Sequence, residues 1–105
     1  MAIDRRQSPE RRGGERISFN DHLRVRKPSN QHGTGADISE SGISIIVPQT
    51  IPEGSAVELE LFGGTMFVSG KVTKVGPGIR GFRIGIQFDS PQPTVFDKAK
   101  GVLRR

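Results

Sequence analysis

The chain has 105 residues and no cysteine, and its 16 lysine and arginine residues outnumber 11 aspartate and glutamate residues, for a net charge of +5 at pH 7. This length suits one domain, because a second domain would lack the residues for its own core. The absence of cysteine excludes disulfide scaffolds, thiol catalysis and cysteine-based zinc or iron–sulfur sites. The positive charge favours an anionic partner without identifying it.

The net charge conceals three segments of different sign. Residues 1–27 carry a net charge of +4, residues 28–70 contain no lysine or arginine and carry −5, and residues 71–105 carry +6. The first segment uses arginine over lysine seven to one, and arginine forms bidentate hydrogen bonds with phosphate and with guanine edges. A solvated tail is the alternative interpretation of such a terminus.

Residues 1–16 are predicted to form a flexible arm, because they contain few apolar residues and are interrupted by glycine, serine and proline. Alternating and β-branched residues then predict at least five short strands, at residues 22–26, 43–47, 57–61, 67–75 and 82–88. Turn-forming residues separate them, at Pro28–Asn30, Pro52–Gly54, Phe62–Thr65 and Gly76–Gly78. This pattern predicts an all-β fold over residues 17–90, a small antiparallel barrel or sandwich.

A short helix is predicted over residues 94–104. Apolar residues recur there with helical spacing, at Val95, Phe96, Ala99, Val102 and Leu103, and the cationic residues lie off this stripe. We expect the stripe to cover one mouth of the barrel. A helix that binds a partner is the alternative.

No part of the sequence is suited to cross a membrane. The longest apolar run, Ile45–Val47, is far shorter than the roughly 20 residues that a membrane-spanning helix needs. Residues 1–6 carry charges with no apolar stretch behind them, unlike a secretory signal. We therefore expect no membrane insertion and a cytoplasmic location.

Motifs typical of nucleotide-dependent enzymes and metal sites are incomplete. Residues 76–81 match the glycine spacing of a dinucleotide-binding loop, but they join two strand patterns and open no helix. Ser69–Lys71 resembles the end of a phosphate-binding loop, yet a valine follows. His22 and His32 make a poor zinc set and are interpreted as a strand residue and a loop residue. We expect no enzymatic activity, no metal and no cofactor.

Two short polar patterns remain, and both suit ligand binding. Arg12 and Arg16 have R-x-x-x-R spacing on the arm, and guanidinium groups bind phosphates and guanine O6 and N7. Asp37, Ser39 and Gly42 form a D-x-S-x-x-G pattern before a predicted strand. A carboxylate accepts hydrogen bonds from turn N–H groups or from an exocyclic amine, and glycine permits positive φ or a close backbone approach. Taken singly, the second pattern is also an ordinary Asx turn.

In this order, the two patterns resemble those of the PilZ domain family, receptors for the bacterial second messenger cyclic di-GMP. The resemblance covers nearly the whole chain. It includes the Glu10–Arg12 lead-in, a terminal helix, and the Arg83–Phe88 strand, which is similar to the late G-x-x-F strand of the family. It implies one PilZ domain over residues 1–105, with a six-stranded antiparallel barrel.

The resemblance also implies roles for individual residues. Arg12 and Arg16 would contact the phosphates and guanine faces of cyclic di-GMP, Asp37 and Ser39 would bind a guanine, and Gly42 would shape the turn. Arg11 is a further candidate, because a third guanidinium group could engage a second, stacked nucleotide.

A mechanism follows from these roles. The arm of residues 1–16 would be free without ligand and would fold over cyclic di-GMP bound against the 37–42 surface. The protein would then act as an adaptor that signals to an effector protein, which the sequence does not identify, in motility, exopolysaccharide or biofilm control.

Two other functions remain as alternatives. One is a small basic β-barrel that binds single-stranded nucleic acid, a surface that needs aromatic platforms among the cations. The chain has six phenylalanines and no tryptophan or tyrosine, and Phe67, Phe82 and Phe88 are predicted core residues, so we expect no nucleic-acid partner. The other alternative is a PilZ-like interaction module that does not bind nucleotide.

Overall fold

The computed structural model describes residues 15–103 and shows seven strands followed by a helix. The strands are β1 (Ile17–Ser18), β2 (His22–Lys27), β3 (Gln31–Ile38), β4 (Gly42–Val47), β5 (Ala56–Leu61), β6 (Met66–Gly78) and β7 (Gly81–Phe88). A 3-10 turn, Phe62–Gly64, joins β5 to β6, and the helix α1 is Pro93–Leu103.

Antiparallel pairing closes six of the strands into a barrel. Their order is β3-β2-β5-β6-β7-β4, and pairing of β4 with β3 completes the circle. The short β1 is an additional strand that pairs with the last two residues of β3, on the same side as β2. The predicted six-stranded barrel with a C-terminal helix is confirmed.

Alternation along each strand supplies the barrel core. On β4, Ile43, Ile45 and Val47 point inward and are at most 1% exposed. Residues with the same spacing on β5 and β7 are also buried. Burial of one such aliphatic side chain stabilises the fold by about 1.5–3 kcal/mol. The polar residues between them are left on the outer surface, where a ligand has access.

Strand β3 was not predicted, because it alternates glycine with polar residues. A Cβ atom on Gly35 would overlap the ring of Phe19, and one on Gly33 would lie 2.8 Å from Val47 Cγ1. Neighbouring side chains therefore fill the space inside β3, and glycine stands where an apolar residue would normally indicate a strand. His32, predicted in a loop, lies in this strand.

The connection between β6 and β7 is also displaced from its predicted position. The break was predicted at Gly76–Gly78, but these residues belong to β6. Gly78 pairs with Gly81, so that Ile79 and Arg80 form the turn, with Arg80 at a φ of 61°. Of the two turn residues only the second has positive φ, unlike the type I′ and II′ turns usual in two-residue hairpins, in which the first does.

Helix α1 packs on the barrel end formed by the β3–β4 loop and the β5–β6 turn. Its residues Val95, Phe96 and Ala99 are at most 4% exposed and join the core. Lys98 Nζ lies 5.4 Å from the centre of the Phe62 ring. These contacts agree with the prediction that the apolar stripe covers one mouth. Within residues 15–103, no helix has the length and apolar character needed to cross a membrane.

Candidate functional site

Four of the predicted site residues meet where β3 ends. Asp37 is the penultimate residue of β3, Ser39 follows the strand, and Gly42 begins β4. Because β1 pairs with the last two residues of β3, Arg16, the residue before β1, is brought to the same loop. The other two predicted residues, Arg11 and Arg12, lie outside the described residues, as does most of the predicted arm.

The Asp37 carboxylate lies between two guanidinium groups on the outer surface of the barrel. Arg16 Nε is 3.1 Å from Oδ1, and Arg83 Nη2 donates a hydrogen bond of 2.7 Å to Oδ2. The two arginine side chains are 44% and 49% exposed, and that of Asp37 is 24% exposed. The cluster therefore has a net positive charge, and its guanidinium groups remain accessible to an anion.

One carboxylate oxygen of Asp37 has unused capacity to accept a hydrogen bond. Arg16 Nε approaches Oδ1 within ion-pair distance, but Oδ1 accepts no hydrogen bond from any group in residues 15–103 and is shielded from solvent. The Arg16 charge compensates Oδ1, but the geometry of this ion pair leaves hydrogen-bond acceptor capacity on the oxygen. A ligand with N–H groups would satisfy it.

Ser39 is fully buried and organises the loop after β3. Its Oγ accepts hydrogen bonds from the backbone N–H groups of Ser41 and Gly42, both at 3.2 Å, and from Arg16 Nη1, also at 3.2 Å. Its own backbone N–H donates to the carbonyl of Gly42 at 2.8 Å. These contacts attach Arg16 to the loop.

Gly42 is required by a close approach of two strands. A Cβ atom at this position would overlap the carbonyl oxygen of Ile86 on β7. Gly42 does not have positive φ. Of the two reasons for glycine considered from the sequence, close backbone approach is therefore the one that holds.

Arg83 belongs to this cluster, although the sequence analysis did not assign it a role. Asp37 lies opposite Ser44 on β4, and Ser44 lies opposite Gly85 on β7. Arg83 is two residues from Gly85 on the same outer face. Alternation within β7 was a signal that Arg83 points outward, but the closure of the barrel decides that β7 lies two strands from Asp37.

A second carboxylate lies between two arginines on strands β2 and β5. Glu60 Oε1 is 3.3 Å from Arg26 Nη1 and 3.9 Å from Arg24 Nε. The rings of His22 and His32 lie beside this cluster with their centres 6.2 Å apart. The described part of the chain holds no group of three or more histidine, aspartate or glutamate side chains placed to bind a metal.

Two of the three phenylalanines predicted in the core are exposed. Phe67 is 55% and Phe82 is 36% exposed, whereas Phe88 is 5% exposed, so that prediction is wrong for the first two. Phe67 lies under Arg26, whose Cζ is 5.5 Å from the ring centre, and opposite Glu60. A carboxylate beside a stacking platform disfavours a phosphate backbone.

Comparisons with known proteins agree with this architecture. Residues 5–103 match the family model of the PilZ domain. A solved structure, the PilZ domain with c-di-GMP of YcgR from Escherichia coli, is similar with 16% sequence identity and a TM-score of 0.57. The match covers 84% of this chain and 85% of that chain, and shows a shared fold. No curated protein matches the sequence.

Proposed function

This chain belongs to the PilZ domain family, and on that premise we propose that it is a cytoplasmic receptor that binds cyclic di-GMP beside Asp37. The observation that carries the proposal is the Asp37 carboxylate between Arg16 and Arg83, with Oδ1 free of any hydrogen bond from the described residues. The similar YcgR domain was solved with c-di-GMP. The cluster here has the charges and acceptors that such a ligand requires.

The base and the phosphates of the ligand need different partners. The Watson–Crick edge of guanine presents two neighbouring N–H donors, and the two oxygens of a carboxylate accept such a pair. The phosphodiester groups are anionic and suit Arg16 and Arg83. On binding, we expect the arginines to exchange part of their contact with Asp37 for phosphate, while Asp37 turns to the guanine donors.

Ser39 and Gly42 support this site from beneath. Ser39 Oγ is bonded to Arg16 and to two loop amides, and Gly42 lets β4 approach β7 closely. The loop is therefore shaped before ligand arrives, which reduces the ordering cost of binding. Asp37 and Arg16 would touch the nucleotide. Ser39 is fully buried and would act by holding Arg16 and the loop in place.

The arm would complete the site. In the proposed complex Arg12 contacts phosphate, Arg11 engages a second stacked nucleotide, and residues 1–16 fold over the ligand. Each backbone residue that becomes fixed costs about 1–2 kcal/mol, so the charge-assisted hydrogen bonds must offset the cost of every arm residue that is ordered. The altered surface would signal to an effector protein in motility, exopolysaccharide or biofilm control.

Isothermal titration calorimetry of the full chain with cyclic di-GMP tests the receptor function. We expect saturable heat, with a stoichiometry of one or two nucleotides per chain, and Arg11→Ala should reduce two to one. Folded protein that gives no heat at tens of micromolar ligand would refute the proposal. A single-stranded oligonucleotide titrated at two salt concentrations tests the nucleic-acid alternative, which requires binding that weakens steeply with salt.

Hydrogen exchange tests the closing of the arm. Backbone amides of residues 1–16 should exchange more slowly with saturating cyclic di-GMP than without it. The amides of β5, on the other side of the barrel, serve as the internal control and should not change. Slowed exchange at the 37–42 loop without any change in the arm would contradict the closing mechanism while leaving nucleotide binding intact.

A further inference from the structure

The β6–β7 hairpin extends past the neighbouring strand. The pairing of β5 with β6 reaches only as far as Ala56 and Lys71. From Lys74 onwards, β6 pairs with β7 up to the turn at Ile79 and Arg80. On the other side of the hairpin, the pairing of β4 with β7 continues to Val47 and Phe82. The hairpin tip, defined here as residues 74–83, therefore extends past β5 along its β6 edge, at the barrel end opposite α1.

Apolar side chains gather on this hairpin tip. Ile79 is 83% exposed, and Val75 and Phe82 are 37% and 36% exposed. Pro77, also exposed, pairs directly with Phe82, and paired or alternate residues share a face of a β-ribbon. Single exposed apolar residues need no explanation, but adjacent ones on a contiguous patch mark an interaction surface.

Cationic residues lie next to the apolar residues along the hairpin. From residue 61 to residue 88 the chain has four cationic residues and no aspartate or glutamate. Of these, Lys71, Lys74 and Arg80 form no ion pair with any residue of the described range. Lys74 lies opposite Gly85, on the face away from Phe82. The hairpin tip thus combines an apolar end with unpaired positive charge behind it.

We propose that the hairpin tip binds the surface of a membrane that contains anionic lipids. Ile79 and Phe82 would enter the interfacial region, and Lys74 and Arg80 would contact the headgroups. An anionic bilayer surface both attracts cations and accepts apolar side chains to a shallow depth. The proposal is independent of nucleotide binding.

The small apolar area of the tip favours lipid over macromolecular partners. A stable protein interface buries about 800 Å² on each partner, whereas the exposed apolar residues of the tip are Val75, Pro77, Ile79 and Phe82. A nucleic acid backbone would contact the cations but would leave Ile79 in water. Contact of the tip with a lipid surface is peripheral and needs no membrane-spanning helix. It departs, at this tip, from the expectation of no membrane insertion that was drawn from the sequence.

Flotation of the full chain with vesicles tests the proposal. We expect binding to vesicles of phosphatidylglycerol and phosphatidylcholine, weakening as salt increases, and little binding to phosphatidylcholine alone. Ile79→Ser should weaken binding about tenfold, from the apolar burial lost. Replacing both Lys74 and Arg80 by glutamine should weaken vesicle binding about thirtyfold, because each cation contributes about a fivefold change. Arg83 is left unchanged because it contacts Asp37.

Two matched variants serve as controls. Phe67→Ser removes an exposed apolar side chain from the other end of β6, and Lys27→Gln removes an exposed cation from β2. Both should bind vesicles as the parent protein does, and thermal melts establish that every variant is folded.

Three results would overturn the proposal. The first is no binding of the parent protein to anionic vesicles at low salt. The second is equal loss of binding in the Phe67 and Ile79 variants. The third is a concentration-dependent dimer, seen by light scattering and abolished by Ile79→Ser, together with unchanged vesicle binding, which would assign the tip to a second copy of the chain.

Discussion

Two carboxylates on the outer surface of this barrel, Asp37 and Glu60, each lie between two arginines, but different features position them. The arginines at Glu60 come from the adjacent strand β2, where Arg24 is its direct cross-strand partner. Such pairs are a regular consequence of strand pairing. Asp37 instead meets Arg16, from before β1, and Arg83, from a strand two positions away. Its cluster requires the convergence of three separate segments.

Exposure does not separate the two clusters, since the side chains of Asp37 and Glu60 are 24% and 20% exposed. The two clusters differ instead in the hydrogen-bonding capacity that they leave unused. The shielded polar atom without a hydrogen bond in the described residues is an acceptor, Oδ1, at Asp37, and a donor, Nε of Arg24, near Glu60. A guanine edge that presents N–H donors matches the first. The Glu60 cluster is therefore a surface ion-pair network, typically worth about 0–1 kcal/mol for each pair.

The largest expected effect is on nucleotide affinity in Asp37→Ala. Loss of the acceptor pair should weaken cyclic di-GMP binding about a hundredfold or more, since removing one partner of a buried charged hydrogen bond costs about 2–5 kcal/mol. Glu60→Ala is the matched control and should bind within about twofold of the parent, because its pairs contribute little. Calorimetry measures both. Equal losses in the two variants would remove the distinction between the clusters.

Arginine replacements should give the next largest effect. Arg12→Ala and Arg16→Ala should each weaken binding about thirtyfold to a hundredfold, because each removes a charge-assisted contact with phosphate. Arg26→Ala removes a similarly exposed arginine from the Glu60 cluster and should leave affinity unchanged. The melting temperatures should stay within a few degrees, because exposed ion pairs contribute little to stability. A collapse of folding in Arg16→Ala would show a structural role instead.

A smaller effect is expected for Arg83→Ala. Asp37 keeps its contact with Arg16 in this variant, so that affinity should fall about tenfold, the loss of one charge-assisted hydrogen bond. Arg80→Ala, on the same hairpin but without a described contact to Asp37, should bind cyclic di-GMP normally. An unchanged affinity in Arg83→Ala would show that the cluster is completed by Arg16 and the arm without β7.

The smallest expected effect on affinity, and the largest on stability, belongs to Ser39→Ala. Its buried hydroxyl bonds two amides and Arg16, so that its removal should destabilise the fold by about 1–3 kcal/mol. Each kcal/mol lowers the melting temperature of a domain of this size by about 4–8 °C. Thr65→Ala, which removes an exposed hydroxyl bonded to Phe62, should lower it far less. Equal melting temperatures would contradict the positioning role.

Much of the fold was predictable because alternation is local. Strands such as β4 and β5 show inward residues at every second position, and the helix shows an apolar stripe. Strand β3 was missed because Gly33 and Gly35 stand at inward positions, where Phe19 and Val47 fill the space. Which side chains fill that space depends on distant segments, and no window of the sequence contains this information.

The residue types of the candidate site were also predictable from local sequence patterns. The motif patterns placed Asp37, Ser39 and Gly42 on one bend, and Arg16 on the segment before the barrel, and the structure brings these four together. Arg11 and Arg12 lie beyond the described residues, so that their roles remain predictions.

By itself, the sequence determined most of the strands, the bend that carries Asp37 and the excess of arginine before it. Only the tertiary structure decided that Arg83 contacts Asp37, that Ser39 is buried beneath Arg16, and that Phe82 is exposed at the hairpin tip. The physical reason is that alternation assigns a side chain to a face of its strand. Barrel closure and strand length then decide which strands are neighbours and where that face is left uncovered.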